Sequence, residues 1–155
     1  MGTPRVSFYF NVANRDRALS QLAGKAWKQG LSVAIATESE ADSHALDRFL
    51  WESPSIGFLP HCLAGDEVAG DTPIWLDHRL DALVPRNVLF NLNARDWAED
   101  ELQALSQVDR VIEVVAQDDE AGRQDARRHV ARYRQAGFDV EFTDMAKLEQ
   151  VPQHG

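Results

Sequence analysis

The sequence has little of what redox, metal or membrane proteins need. Its one cysteine, Cys62, excludes an internal disulfide and fits a reducing cytosol. No apolar run approaches the ~20 residues that span a bilayer, and we expect neither a secretory leader nor a myristoyl anchor at the amino terminus. The five histidines are scattered, without an H-E-x-x-H or C-x-x-C motif. We therefore expect a cytoplasmic protein with no metal site and no membrane partner.

Glycine is missing where a bound phosphate would need it. The first predicted strand is followed by NVANRDRA (11–18) and the second by TESEAD (37–42). Neither turn has the glycines that let a backbone approach a phosphate, and the acids of the second turn would repel one. The sequence therefore predicts no nucleotide cofactor and no catalytic residues. The alternative is a nucleotide-dependent enzyme with a degenerate doubly wound α/β domain.

Positive charge is scarce overall but locally concentrated. The 16 lysines and arginines face 25 acids, and the formal net charge is −9. Such a charge opposes nonspecific binding to DNA, so we expect no direct nucleic-acid contact. Five of the 13 arginines nevertheless fall within 12 residues. They are Arg123, Arg127, Arg128, Arg132 and Arg134.

Strand-like and helix-like segments alternate along the chain. The predicted strands are 6–12, 31–37, 73–76, 87–92, 110–115 and 140–142, and the predicted helices are 15–29, one that follows Ser39, 95–106 and 119–136. This order predicts an α/β fold with a mostly parallel sheet and helices on both faces, a Rossmann-like topology without a nucleotide site. We expect a single three-layer domain over residues 1–150, followed by a loose tail over 151–155.

Three of the clustered arginines form one stripe on the last long helix. At 100° per residue, Arg123, Arg127 and Arg134 fall within about 40° of one another, beside the side predicted to face the core. Arg128 and Arg132 lie elsewhere and are predicted to face solvent. The stripe would place guanidinium groups beside an apolar recess.

Two interpretations of this stripe remain open from spacing alone. Guanidinium groups beside an apolar recess suit a peptide that carries acids and ends in an apolar residue with a free carboxylate. Alternatively, the arginines pair with Glu120, Asp125 and neighbouring acids on a solvated helix face.

A second unusual segment is LDRFLWESPSIGFLPHCLAGD, residues 46–66. It is predicted to contain a helix end, a turn and a loop that carries Trp51, Phe58, Pro60 and His61. Large apolar groups on a loop suggest a docking surface. The alternative is that Trp51 belongs to the core, because it ends a helix whose other apolar positions point inward.

This segment also carries a resemblance to a known family. Its pattern L-D-x-x-L-W-x-x-P-x-x-x-F-x-P-H resembles the chi subunit of bacterial DNA polymerase III holoenzyme, part of the clamp-loader assembly. Other stretches resemble that family in the expected order, so the resemblance covers residues 5–142. They are F-Y-F (8–10), A-W-K-Q-G-L-S-V-A-I-A (26–36), P-I-W-L (73–76) and R-Y-R-Q-A-G-F (132–138). The resemblance implies that the protein is a non-catalytic adaptor of the replisome.

The resemblance implies two partner sites. Trp51, Phe58 and Pro60 would contact the psi subunit, at a site that can also accept a helicase, and His61 would hold the loop by a hydrogen bond. Arg123, Arg127 and Arg134 would hold the acidic C-terminal tail of single-stranded-DNA-binding protein.

The second of these sites departs from the family pattern at two positions. Val130 stands where the best-known member has a tyrosine, and Ala131 stands where it has a lysine. We therefore expect the tail to bind more weakly here than in that member.

Overall fold

The computed structural model describes residues 4–52 and 59–150. Within them, a seven-stranded sheet has the order β3-β4-β2-β5-β6-β1-β7, and every neighbouring pair is parallel. The strands are β1 (Arg5–Val12), β2 (Val33–Ala36), β3 (His61–Leu63), β4 (Ile74–Asp77), β5 (Arg86–Asn91), β6 (Val108–Ala116) and β7 (Asp139–Asp144). An all-parallel sheet needs a cover on both faces, because its connections cross over the sheet.

Five α-helices connect or follow these strands in the described residues. They are α1 (Arg15–Lys28), α2 (Glu40–Glu52), α3 (Glu99–Ala104), α4 (Glu120–Gln135) and α5 (Met145–Gln150). Polar side chains cap the starts of α2 and α4: Ser39 Oγ accepts from the Asp42 amide at 3.1 Å, and Asp119 Oδ1 accepts from the Gly122 amide at 2.9 Å. After α4, the chain turns at Gly137, whose φ of +90° favours glycine.

Alternate residues of the strands enter two separate cores. On one face, Val33 and Ile35 of β2 pack with Leu19 of α1 and Leu50 of α2. On the other face, the neighbouring strand residues pack against α3 and α4; this core includes Val6, Phe8, Ala34, Leu89, Val111, Val115, Leu102 and Tyr133. The fold is therefore a three-layer α/β sandwich, which confirms the predicted fold class.

The structure differs from the sequence prediction at three elements. His61 lies in strand β3, an edge strand of the sheet, and not in a loop. The helix predicted over 95–106 is limited to α3, followed by a 3₁₀ turn over Leu105–Gln107. Helix α5 was not predicted. A three-residue strand has too few positions to show a period, so only its pairing with β4 defines it. The tail predicted from Val151 lies outside the described residues.

Candidate functional site

The predicted stripe borders an open groove of about 500 Å³ between α4 and strands β1, β6 and β7. Arg123, Arg127 and Arg134 line its rim. Its other lining residues are apolar: Phe8, Phe10, Val115, Ala126, Val130, Ala131 and Phe142. We call this feature the arginine groove.

The three rim arginines differ in how they are compensated. Arg123 pairs with Glu120, and it also donates to the backbone oxygen of Gln117. The Arg134 guanidinium lies over the Phe142 ring, 5.6 Å from its centroid. Across residues 4–52 and 59–147, no carboxylate forms an ion pair with Arg127 or Arg134. Two cations of the groove are therefore left without an acidic partner.

The remaining two arginines of α4 are directed away from the groove. Arg128 pairs with Asp125 at 2.7 Å and with Asp96 at 3.3 Å, and Arg132 lies 3.6 Å from Glu99. They were predicted to face solvent; in the structure they also reach acids before and at the start of α3. The pairing interpretation therefore holds for Arg128 and in part for Arg123. It does not account for Arg127 or Arg134, for which peptide binding stays a prediction.

Val130 and Ala131 line the arginine groove between Arg127 and Arg134. Val130 is half-buried and packs against the core beneath α4, whereas Ala131 is exposed. Opposite them, Phe142 of β7 is 50% exposed and its ring lies 5.9 Å from that of Phe8. The groove therefore offers an apolar surface with cations at its rim.

A buried polar network lies beneath α4. Glu113 of β6 is 5% exposed, and its carboxylate accepts hydrogen bonds from the Tyr133 hydroxyl at 2.7 Å and from Asn91 Nδ2 at 3.1 Å. His129 Nδ1 lies 2.8 Å from the same carboxylate. Trp97 Nε1 donates to the Tyr133 hydroxyl at 2.8 Å. Burial of a charge is tolerated here because several donors surround it.

The surroundings of His129 favour its charged form. Its Nε2 lies 2.9 Å from the backbone oxygen of Ala94, so both ring nitrogens face acceptors. Burial by itself lowers the pKa of His129, but the hydrogen bond and charge of Glu113 outweigh it, and the pKa lies above the usual histidine value. Burial and the Glu113 charge raise the pKa of Tyr133 well above its usual value. The network thus joins the Tyr133 hydroxyl and the Glu113 carboxyl to a histidine whose charged form is favoured.

A second exposed feature occurs at the end of α2. Trp51 is 55% exposed, and its ring lies 4.3 Å from that of His61, which is only 2% exposed. His61 Nδ1 lies 2.6 Å from the Leu59 oxygen, and its Nε2 lies 3.2 Å from the Asp47 oxygen. Pro60 is half-buried beside it. We call Trp51, Pro60 and His61 the aromatic patch; Phe58, predicted to belong to it, lies outside the described residues.

The crevice at the carboxyl ends of β2, β5 and β6 is where doubly wound folds bind ligands. Here it has a volume of about 420 Å³, and acids outnumber bases among the charged residues of its lining. The acids are Asp16, Glu38, Asp42, Glu113, Asp119 and Asp125, against Arg15 and His129. This excess of negative charge opposes a phosphate-bearing ligand.

In residues 4–52 and 59–150, no helix is both long and apolar enough to cross a bilayer. Among the side chains of residues 4–52 and 59–147, no three of His, Cys, Asp or Glu come together as metal ligands would.

Sequence reasoning missed the buried network and the floor of the groove. His129 belongs to no histidine motif, although its spacing of four from Tyr133 puts both on one helix face. Glu113 interrupts the apolar run RVIEVV (110–115), which was a signal of a buried carboxylate. No sequence pattern indicated that Phe8, Phe10 and Phe142 would form the apolar surface of the groove.

The fold and these surfaces define a doubly wound α/β domain that presents an arginine groove and an aromatic patch. The family model for the DNA polymerase III chi subunit, HolC, matches residues 3–141. The chain belongs to this family. It is an accessory subunit of DNA polymerase III, with a role in DNA replication.

Named relatives agree with this assignment. The DNA polymerase III chi subunit of Escherichia coli is 31% identical over 81% of this chain and 82% of its own length. That of Haemophilus influenzae is 32% identical over 77% and 79%, and that of Pseudomonas aeruginosa is 31% identical over 88% and 94%.

Two solved structures share the fold alone. A chain of an S. cerevisiae Dbp5 complex that contains ADP matches with a TM-score of 0.64 at 8% identity, over 96% of this chain and 44% of that chain. The C-terminal domain of a possible DNA helicase from Lactobacillus matches with a TM-score of 0.52 at 17% identity, over 90% and 85%.

Proposed function

We propose that this subunit is a non-catalytic adaptor in the cytoplasm that joins two other replication proteins. The arginine groove binds the acidic C-terminal tail of single-stranded-DNA-binding protein, and the aromatic patch binds the psi subunit and through it the clamp loader. The observation that carries the proposal is the pair Arg127 and Arg134, two cations that lie beside an apolar surface and form no ion pair with any acid among the described residues.

The groove suits such a tail in both charge and shape. A tail carboxylate can form charge-assisted hydrogen bonds with Arg127, a donor that no described acid occupies. An apolar terminal residue can pack on Phe142 and Val130. Because the whole protein carries a net charge of −9, attraction of an acidic peptide depends on this local group of arginines.

The aromatic patch suits a protein partner. A half-exposed tryptophan on a supported platform is typical of the energetic centre of an interface. His61 supports the Trp51 ring from below and is itself held between two backbone oxygens. Its proposed role is therefore to orient Trp51, while Pro60 extends the contact. Phe58 stays a predicted partner contact outside the described residues. A helicase is a second candidate partner for the same surface.

Two weak contacts in one assembly give a combined affinity above that of either contact. The clamp loader holds the adaptor near the fork, and the single-stranded DNA holds many copies of the tail nearby. The effective local concentration of tails then reaches the millimolar range typical of flexible linkage, about 10⁻³ M. Tail binding can therefore be weak for an isolated peptide and still be effective at the fork.

Fluorescence anisotropy of a labelled tail peptide tests the proposal. The peptide from the same organism's single-stranded-DNA-binding protein should bind saturably. Its affinity should fall as salt is raised from about 50 to about 300 mM, because the added salt screens the attraction between the arginines and the tail. A matched peptide with a C-terminal amide should bind about tenfold more weakly, since it lacks one charge. Absence of saturation by the free-acid peptide at low salt would refute tail binding.

Glu120 is predicted to compete with the tail. It occupies Arg123, whose hydrogen bond and charge lower the pKa of the Glu120 carboxyl. Changing Glu120 to glutamine should therefore strengthen tail binding by about two- to fivefold at low salt. Glu99→Gln is the matched control, because Glu99 pairs with Arg132 outside the groove. Equal affinities of the two variants in the anisotropy titration would contradict the competition.

A further inference from the structure

The buried network is attached to the same helix as the arginine groove. His129 and Tyr133 are one turn apart on the buried side of α4, and Arg127, Val130 and Arg134 lie next to them along the helix. Glu113, which both buried residues contact, belongs to β6 in the middle of the sheet. The network therefore connects the sheet to the segment of α4 that carries the groove.

The contacts of the buried network define the distance of α4 from the sheet and its rotation about its own axis. Tyr133 contacts Glu113 through its hydroxyl, and its ring packs edge-on against Phe8, 6.1 Å between centroids. Phe8 also lines the groove floor. A shift of α4 that breaks the hydrogen bonds of His129 or Tyr133 would thus also move the rim arginines relative to the floor.

We infer that Glu113, His129 and Tyr133 are positioning residues of the arginine groove, which hold α4 so that Arg127 and Arg134 can contact a bound tail together. This inference rests on the proposed function of the groove. None of these three residues lines the arginine groove, so they act through the helix and not by touching the tail.

The contact between Glu113 and His129 makes the position of α4 dependent on the protonation of His129. A neutral imidazole has one N–H, so it can satisfy Glu113 or the Ala94 oxygen but not both. Other charged groups also face His129. Asp96, before α3, lies 3.8 Å from Nε2; Asp125 and Arg128 stand on α4; Asp42 of α2 and Asp119 line the same crevice.

The sign of the pH effect follows from the raised pKa. The network stabilises the fold fully below the unfolded-state pKa of about 6.5, and this stabilisation is lost as pH rises through the higher pKa of the folded state. Tail carboxylates and arginines do not titrate in that window. A decline in tail affinity there that is absent from a His129 variant would therefore report on His129.

The test compares the full-length protein with its His129→Gln variant. Hydrogen–deuterium exchange, corrected for the intrinsic pH dependence, is measured on α4 in the free protein, and tail affinity is measured by anisotropy, both from pH 6 to 9. In the wild type, α4 exchange should rise and tail affinity should fall by about threefold or more as pH increases. In His129→Gln, both should already be impaired at pH 6 and nearly independent of pH.

Two further variants separate positioning from general stability. Leu19→Ala creates a cavity under α1, on the opposite face of the sheet, and should lower the melting temperature without changing tail affinity or the exchange of α4. Tyr133→Phe removes a single hydroxyl and serves if His129→Gln does not fold; it should weaken tail binding while the groove side chains are unchanged.

The outcomes are distinct. Unchanged α4 exchange across the pH range, or loss of affinity equal to that of Leu19→Ala, would overturn the positioning role. If α4 loosens as expected but the wild-type protein binds no tail, α4 is held by the network and the proposed ligand is wrong. If the wild type binds the tail with an affinity that does not respond to pH or to His129→Gln, the groove functions without the network.

Discussion

Changing Arg127 to alanine should weaken binding of the tail peptide by about tenfold or more. Arg127 is exposed at the rim of the groove, and none of the described acids pairs with it, so its guanidinium is available to a carboxylate without first breaking an internal contact. The double variant with Arg134→Ala should bring binding near the limit of detection. Anisotropy titration of the labelled peptide at low salt measures both effects.

Arg128→Ala provides the matched control for this prediction. It removes the same charge from the same helix, but Arg128 is directed toward Asp125 and Asp96 and not toward the groove. Its effect on tail affinity should stay below about twofold, the size of a general electrostatic change. Equal losses for Arg127→Ala and Arg128→Ala would mean that net charge alone attracts the peptide, and the groove would not be its site.

Changing Trp51 to alanine should weaken binding of the psi subunit by about thirtyfold, which corresponds to ~2 kcal/mol. More than half of the Trp51 side chain is exposed, so its removal costs the isolated protein little packing. In a complex the ring would be covered on both sides, by His61 and by the partner. Surface plasmon resonance with purified psi measures the change.

Val68→Ala is the control for this second prediction. Val68 is 59% exposed, and it lies outside the aromatic patch, between β3 and β4. It should leave psi affinity unchanged within error, and both variants should keep the wild-type circular dichroism spectrum. If psi binds the Trp51→Ala variant with wild-type affinity, the aromatic patch is not the psi site.

The α/β fold could be predicted from the alternation of apolar strands with amphipathic helices. That periodicity reflects local burial, so it located six of the seven described strands and the helices α1, α2 and α4. The edge strand β3 was missed because His61–Leu63 is too short for a pattern and its pairing with Ile74–Leu76 is a tertiary contact. Trp51 illustrates a similar limit, since its helix could be predicted but its exposure could not.

The candidate site was predictable where it depends on one helix. The 100° rotation per residue is enough to place Arg123, Arg127 and Arg134 on one side of α4. The pairing state of these arginines was not predictable, because Arg128 reaches Asp96, 32 residues earlier in the chain. Only the tertiary structure distinguishes Arg128, which pairs with acids, from Arg127.

By itself, the sequence determined the fold class, the family and the face of α4 that carries the arginine stripe, because each depends on local periodicity or on ordered motifs. Tertiary structure alone decided that the stripe borders an apolar surface. Phe8 and Phe142 meet there only because β1 and β7 pair in parallel, with these residues opposite each other. It also decided that Glu113 and His129 form a buried pair beneath that surface, since a charge in a strand finds its partner only when a helix packs over it.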